Sequence, residues 1–117
     1  MTVAVAEPGR GEIWYARLDP VVGHEQAGER PCLIISDDRF NYSRAHLVVV
    51  LPITRTDRGI ASHVRVDPPD GGLKAASFIK CEDVRSISKQ RLQSRLGKVS
   101  AKTMAGVEDR LRILMNL

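Results

Sequence analysis

The longest nearly uninterrupted apolar run in this chain, residues 47–53, is far too short for a membrane-spanning helix, which needs about 20 apolar residues. Every other apolar run is shorter and ends in turn-forming residues, so the core has to be assembled from short strands. Residues 11–18 carry Trp14 and Tyr15 and read as a first strand, stopped by Asp19-Pro20. Residues 31–36 follow, and their Leu33-Ile34-Ile35 run implies burial on both faces. Residues 46–54 form a third strand, where Pro52 marks a bulge or an edge because proline has no N–H to give a ladder. In residues 62–67, Val64 and Val66 alternate with His63, Arg65 and Asp67. Residues 77–81, 84–87 and 96–99 supply further short strands. Residues 37–44 are turn-rich, residues 55–59 form a charged loop, and 68–72 (PPDGG) are a turn cluster.

Two helical signals interrupt this pattern. Residues 88–92 read as a single turn capped by Ser88. From Ser100 to Met115, the apolar residues Met104, Val107, Leu111 and Leu114 recur at three- and four-residue steps, as on one face of a helix. Ser100 is placed to cap it, although no glutamate completes a capping box. The fold class is therefore mainly β (α+β), a small, strongly bent antiparallel sheet or barrel closed by a C-terminal α-helix. Residues 1–9 are expected as a flexible tail and residues 10–117 as one domain.

Composition narrows the chemistry only a little. Aromatics make up 4% of the 117 residues, so the core rests on Val, Ile and Leu. A net charge of +4 and a pI near 9.4 lean toward an anionic partner, a charge that small domains also carry for solubility. Cys32 and Cys81 stand apart from any metal-ligand spacing and read as buried thiols in a reducing compartment. The opening residues lack a secretory signal, so a soluble cytoplasmic chain is expected. His46 and His63 have no partner at metal-ligand spacing, and no phosphate loop or nucleophile elbow occurs.

One stretch stands out. Gly23-His24-Glu25-Gln26-Ala27-Gly28-Glu29-Arg30 is a polar loop that runs into the second strand, and Pro31 fixes the chain direction behind Arg30. A guanidinium at the mouth of a rigid strand suits an anion such as phosphate. It equally suits a plain ion pair with Glu25 or Glu29 that closes the loop.

The ordered set Arg10-Gly11-Glu12-Ile13-Trp14, Leu18-Asp19-Pro20, residues 23–31, Leu33-Ile34-Ile35-Ser36, Pro52-Ile53-Thr54 and residues 83–92 (DVRSISKQRL) resembles the MazF/PemK family of toxin endoribonucleases. The resemblance spans the chain from Arg10 onward. It implies an SH3-like β-barrel with a C-terminal helix, the fold shared by the MazF, PemK and CcdB plasmid-maintenance toxins. It further implies a homodimer that cuts single-stranded RNA, mostly mRNA, at short sequences without a metal or other cofactor. The ends left behind would be a 2′,3′-cyclic phosphate and a 5′-hydroxyl. Its partner would be a MazE-like antitoxin whose acidic C-terminal tail covers the RNA-binding surface. A non-enzymatic gyrase poison of the same fold is the alternative from another class. Such relatives end their helix on aromatics, whereas this chain ends Ile113-Leu114-Met115-Asn116-Leu117. An inactive RNA-binding relative is a third.

By resemblance, Arg30 and Thr54 are the catalytic pair. His24 and Glu25 are candidates for proton transfer or substrate contact, since an imidazole titrates near neutrality and arginine is a poor base. A solvated loop histidine is the bland alternative for His24. Gln26, Arg55, Asp83, Arg85, Gln90 and Arg91 are candidates for RNA contacts. Asp83 accepts hydrogen bonds without donating them when ionised, which favours a cytosine amino edge or no base contact at all. For base stacking the sequence offers Phe40, Tyr42 and Trp14, the last more at home in a core or a dimer interface.

Overall fold

A computed structural model describes residues 7–18 and 28–117. They form seven strands, β1 (Glu12–Arg17), β2 (Glu29–Ile34), β3 (Leu47–Thr54), β4 (His63–Val66), β5 (Ser77–Lys80), β6 (Arg85–Ser88) and β7 (Leu92–Lys98). Two α-helices join them, α1 (Asp38–Asn41) and α2 (Ala101–Met115), and 3-10 turns lie at Asp70–Gly72 and Lys89–Arg91. All described pairings are antiparallel, in the order β4-β5-β3-β2-β1-β7, with β6 added to β3.

β3 is the central strand because it serves three neighbours. Its first half pairs with β6, Val50–Pro52 face β2, and Ile53 and Thr54 pair with β5. Pro52 falls where one edge passes from β6 to β5, the place in a central strand where a missing N–H costs no ladder bond. The alternation of side chains across this sheet makes two cores. Ile13, Leu33, Leu51, Ile53, Ile79 and Val107 fill one face, under α2, while Trp14, Cys32, Ile34, Val48, Val50 and Ile87 fill the other. Leu33 and Ile34 thus bury in opposite directions, as their unbroken apolar run requires. Each fully buried aliphatic side chain contributes about 1.5–3 kcal/mol. Cys32 and Cys81 are both buried and unbridged, and burial first of all pushes each thiol up to about 12.

The residues expected as a polar turn after β2 contain the single turn of α1, because Asp37 caps it by accepting the Arg39 N–H at 2.8 Å. The last strand begins at Leu92 rather than Leu96, gaining its first residues by pairing with β1. Pro8 is buried and the Gly9 N–H donates to Glu12, so the packed structure reaches into the stretch expected as a tail. α2 starts as its sequence implies, with the Ser100 hydroxyl accepting the Thr103 N–H at 3.2 Å. The acceptor that a capping-box glutamate would supply comes instead from Asp70, which takes the Ser100 N–H at 2.7 Å and the Thr103 hydroxyl at 2.6 Å.

Asp70 belongs to the turn that closes the sheet. The ladder stays open between β4 and β7, and the gap is covered by Asp70–Gly72 packed on Leu96 and Gly97. Gly72 has φ +76°, and a Cβ there would stand 2.0 Å from the Leu96 carbonyl oxygen. Gly72→Ala is therefore expected to cost at least ~2 kcal/mol, from left-handed strain plus overpacking, read as a lower midpoint in urea unfolding.

Glu12 ties three segments together. Its carboxylate accepts from the Gly9 N–H at 2.6 Å, the Trp14 indole at 3.1 Å and Arg95 Nε at 2.6 Å. Burial alone would raise its pKa, but the hydrogen bonds from Gly9, Arg95 and Trp14 outweigh that and hold it below the ordinary value of 4.5. A carboxylate depressed by folding adds stability above its unfolded pKa and loses it as pH falls through the folded one. Thermal midpoints measured from about pH 6 to about pH 3 should therefore fall less steeply for Glu12→Gln than for the parent.

Candidate active site

Four cations face one concavity where β2 begins and β3 ends. A cleft of about 580 Å³ is lined by Tyr15, Glu29, Arg30, Pro31, Ile53, Thr54 and, from the following loop, Arg55, Thr56 and Arg58. Its far wall is Gly72, Leu73, Lys74, Ala75 and Ser77, delivered by the closing turn, with Leu96 of β7 beneath. Arg30 and Thr54, distant in sequence, share this cavity because β2 and β3 run antiparallel and bring the start of one beside the end of the other.

Each side chain is positioned by its element. Arg30 is exposed at the first turn of pairing in β2, opposite Ala16 of β1. Thr54 is nine-tenths buried, opposite Phe78 of β5, and its Oγ1 accepts the Thr56 N–H at 3.2 Å. That bond occupies an acceptor position and leaves the hydroxyl proton to point at a ligand. Arg55, Arg58 and Lys74 complete a ring of cations with Arg30, and Glu29 is the one acid among the described lining residues. Such a cavity attracts a polyanion and offers several donors to a single phosphate.

A second, shallower cleft of about 630 Å³ is lined by Arg17, Ser88, Gln90, Arg91 and Gln93. Gln90 and Arg91 reach it because the 3-10 turn between β6 and β7 is capped by the Ser88 hydroxyl, which accepts the Gln90 N–H at 3.2 Å. Glu29 joins the two concavities. It lines the first, and its Oε1 accepts from Gln93 Nε2 at 3.1 Å and lies 3.9 Å from Arg17 in the second.

The structure thus gathers Arg30, Thr54 and Arg55 into one cleft and Gln90 and Arg91 into the other. Asp83 and Arg85 line neither. The Arg85 guanidinium donates to both Asp83 oxygens at 3.3 and 3.1 Å and to the Leu18 carbonyl at 3.3 Å, with both side chains only 12% exposed. Charges so far from water engage each other. His24, Glu25 and Gln26 lie outside the described residues. Phe40 and Tyr42 are exposed on and after α1, away from either cleft, and Trp14 is in the core. The aromatic that does reach the main cleft is Tyr15. Its neighbour Trp14 draws notice in the sequence, yet strand alternation sends the two to opposite faces.

Lys74 is a charged lining residue that sequence reasoning passed over, and Glu29 entered it only as a possible ion-pair partner for Arg30. Lys74 sits just past a turn whose packing on β7 no local pattern announces. His63, read as lying on a polar strand face, is buried with its side chain 3% exposed and Nε2 2.8 Å from Glu82. Among the described residues, no three His, Cys, Asp or Glu side chains are grouped as a metal would require.

Comparison with known proteins then decides the family. Residues 9–115 match the model of the PemK-like, MazF-like toxins of type II toxin–antitoxin systems. The chain belongs to that family. Endoribonuclease EndoA of Bacillus subtilis is 34% identical over 109 residues, covering 92% of this chain and 94% of its own. The crystal structure of MazF from Deinococcus radiodurans superposes with a TM-score of 0.86 at 25% identity, covering 96% of this chain and 99% of the other. A MazE–MazF structure from the same organism matches with a TM-score of 0.77 at 25% identity, over 96% of this chain and 98% of that one. These matches agree with the bent antiparallel sheet and terminal helix described above.

Removing Asp83 takes away the carboxylate that both Arg85 and Lys80 face. Asp83→Ala is expected to lower stability by roughly 3 kcal/mol, measured by chemical unfolding, whereas Gln90→Ala on the open cleft should change it by less than about 0.5 kcal/mol.

Proposed function

We propose that this chain is the toxin of a toxin–antitoxin pair and acts as an endoribonuclease on single-stranded RNA, mRNA in particular, in the cytoplasm. The observation that carries the reading is the shared cleft. Arg30 and Thr54 line one cavity with three further cations, in a chain whose family is that of MazF-like toxins and whose relative EndoA is named an endoribonuclease.

The chemistry follows from what RNA brings and what the cleft adds. The 2′-hydroxyl is the nucleophile. It attacks the adjacent phosphorus, the bond to the 5′-oxygen breaks, and a 2′,3′-cyclic phosphate and a 5′-hydroxyl result. The two protein tasks are to hold the phosphoryl oxygens as negative charge grows and to move one proton in and one out. Arg30 supplies the first through its planar fork of N–H donors, which matches two phosphate oxygens at once. Thr54 adds a short O–H donor from a rigid strand end, so little reorganisation is needed at the moment of reaction. Arg55, Arg58 and Lys74 keep the flanking phosphates in place. For proton transfer, His24 and Glu25 remain the candidates, along with the arginine itself.

An antitoxin with an acidic tail would occupy the same cationic cleft, since carboxylates and phosphates ask for the same donors. The MazE–MazF structure among its matches supports that partnership, and we take the chain to be a homodimer as its family resemblance implies.

The test is to incubate the purified protein with a long single-stranded RNA in EDTA and to map the ends. Cuts at a short recurrent sequence with cyclic-phosphate ends are expected. Arg30→Ala should reduce the rate by at least ~10²-fold, and Thr54→Val by ~10-fold or more, with Thr54→Ser close to the parent. Intact RNA with the parent protein, or equal cutting by Arg30→Ala, overturns the reading.

A further inference from the structure

We infer that Glu29 reads a base, favouring the amino edge of cytosine over uracil where the RNA strand passes from the main cleft to the second one; the inference rests on RNA being the ligand of this cleft. Glu29 is the lone acid among the described residues lining a cavity that also holds Arg30, Arg55, Arg58 and Lys74. An ionised carboxylate accepts hydrogen bonds and donates none, and the same is true of a phosphate. Glu29 therefore repels the backbone that its neighbours attract. An acid in that position can engage RNA only through a donor, a base N–H or a ribose 2′-hydroxyl, and the 2′-O-methyl probes used below remove the second.

Its location says which part of the strand it meets. Glu29 pairs with Arg17 across β1 and β2, and its Oε1 accepts from Gln93 Nε2 at 3.1 Å. Arg17 and Gln93 belong to the second cleft, so the carboxylate stands on the wall between the two. Gln93, on the neighbouring β7, braces one oxygen, and the side chain is half exposed, so the other oxygen can meet a ligand. Cytosine presents an exocyclic amino donor at C4, whereas uracil presents a carbonyl oxygen there. The first is attracted by a fixed carboxylate and the second repelled. The sequence suggested this kind of readout for Asp83, but the structure folds Asp83 into an ion pair with Arg85 and puts Glu29 on the cleft instead.

The experiment compares binding of short 2′-O-methyl oligocytidine and oligouridine, which share the same ring size and backbone, differ at the C4 substituent and N3, and lack the 2′-hydroxyl needed for cleavage. The parent protein should bind the cytosine probe about tenfold tighter. In Glu29→Gln, whose amide oxygen keeps the Gln93 bond and whose N–H₂ can donate to uracil, the two affinities should come within about twofold. Thermal midpoints of parent and variant are compared to show that the fold is unchanged. An equal affinity of the parent for both probes, or a preference that survives in Glu29→Gln, overturns the inference. End mapping on mixed-sequence RNA gives a second readout. Glu29→Gln should cut with a widened target set at one position. A rate loss at every site with a flattened acid limb of the pH profile would make Glu29 a proton acceptor and overturn the base-reading role. A cytosine preference in a parent protein that cuts nothing would instead sink the nuclease reading and leave this one standing.

Discussion

Two backbone segments touch without side chains between them, and the cleft exists because they do. A Cβ added at Gly72 would overlap the Leu96 carbonyl, and one added at Gly97 would overlap the backbone of Gly71 and Gly72. That contact closes a sheet whose ladder is otherwise open between β4 and β7. It also brings Leu73, Lys74 and Ala75 to the cavity lined by Tyr15 of β1, the start of β2 and the end of β3. Asp70, in the same turn, takes the N-cap amide of α2, so the helix that covers one core and the wall of the cleft share a single anchor. A change in the turn is thus felt in the helix and in the site together.

The charge distribution follows from the same geometry. Strand ends and the loop after β3 are where a small sheet can afford arginine, because guanidinium groups there remain hydrated. Antiparallel pairing of β2 and β3 brings two such ends side by side, and the result is a concentrated cationic cavity rather than a scatter of surface charge. Within it the roles separate by burial. Thr54, nearly enclosed and held by the Thr56 amide, offers a hydroxyl of fixed position, whereas Arg30 stays exposed and can close on a phosphate. A buried hydroxyl beside an exposed guanidinium gives the proposed chemistry one donor of fixed position and one planar fork of donors.

Arg85 and Asp83 show the converse. In the sequence they sit in a basic stretch indistinguishable from the one that carries Gln90 and Arg91. In the fold, one pair is largely enclosed at the start of β6, with 12% of each side chain exposed, and the other is turned outward by a capped 3-10 turn only a few residues later. Charge count along the chain therefore overstates the cationic surface that lines the two clefts, and the difference is made by which residues the sheet encloses.

The sequence by itself determined the strand inventory, the terminal helix and its Ser100 cap, the two-sided burial of Leu33 and Ile34, and the candidacy of Arg30 and Thr54. These are set by local periodicity, turn chemistry and an ordered family pattern, all of which are written in neighbouring residues. Only the tertiary structure decided that Glu29, Tyr15 and Lys74 join the cleft, that Asp70 rather than a glutamate completes the helix cap, and that β7 extends back to Leu92. Those outcomes depend on which distant segments meet, and they are fixed by glycine-permitted backbone contact and by pairing partners far apart in the chain. A one-dimensional pattern carries no record of that proximity.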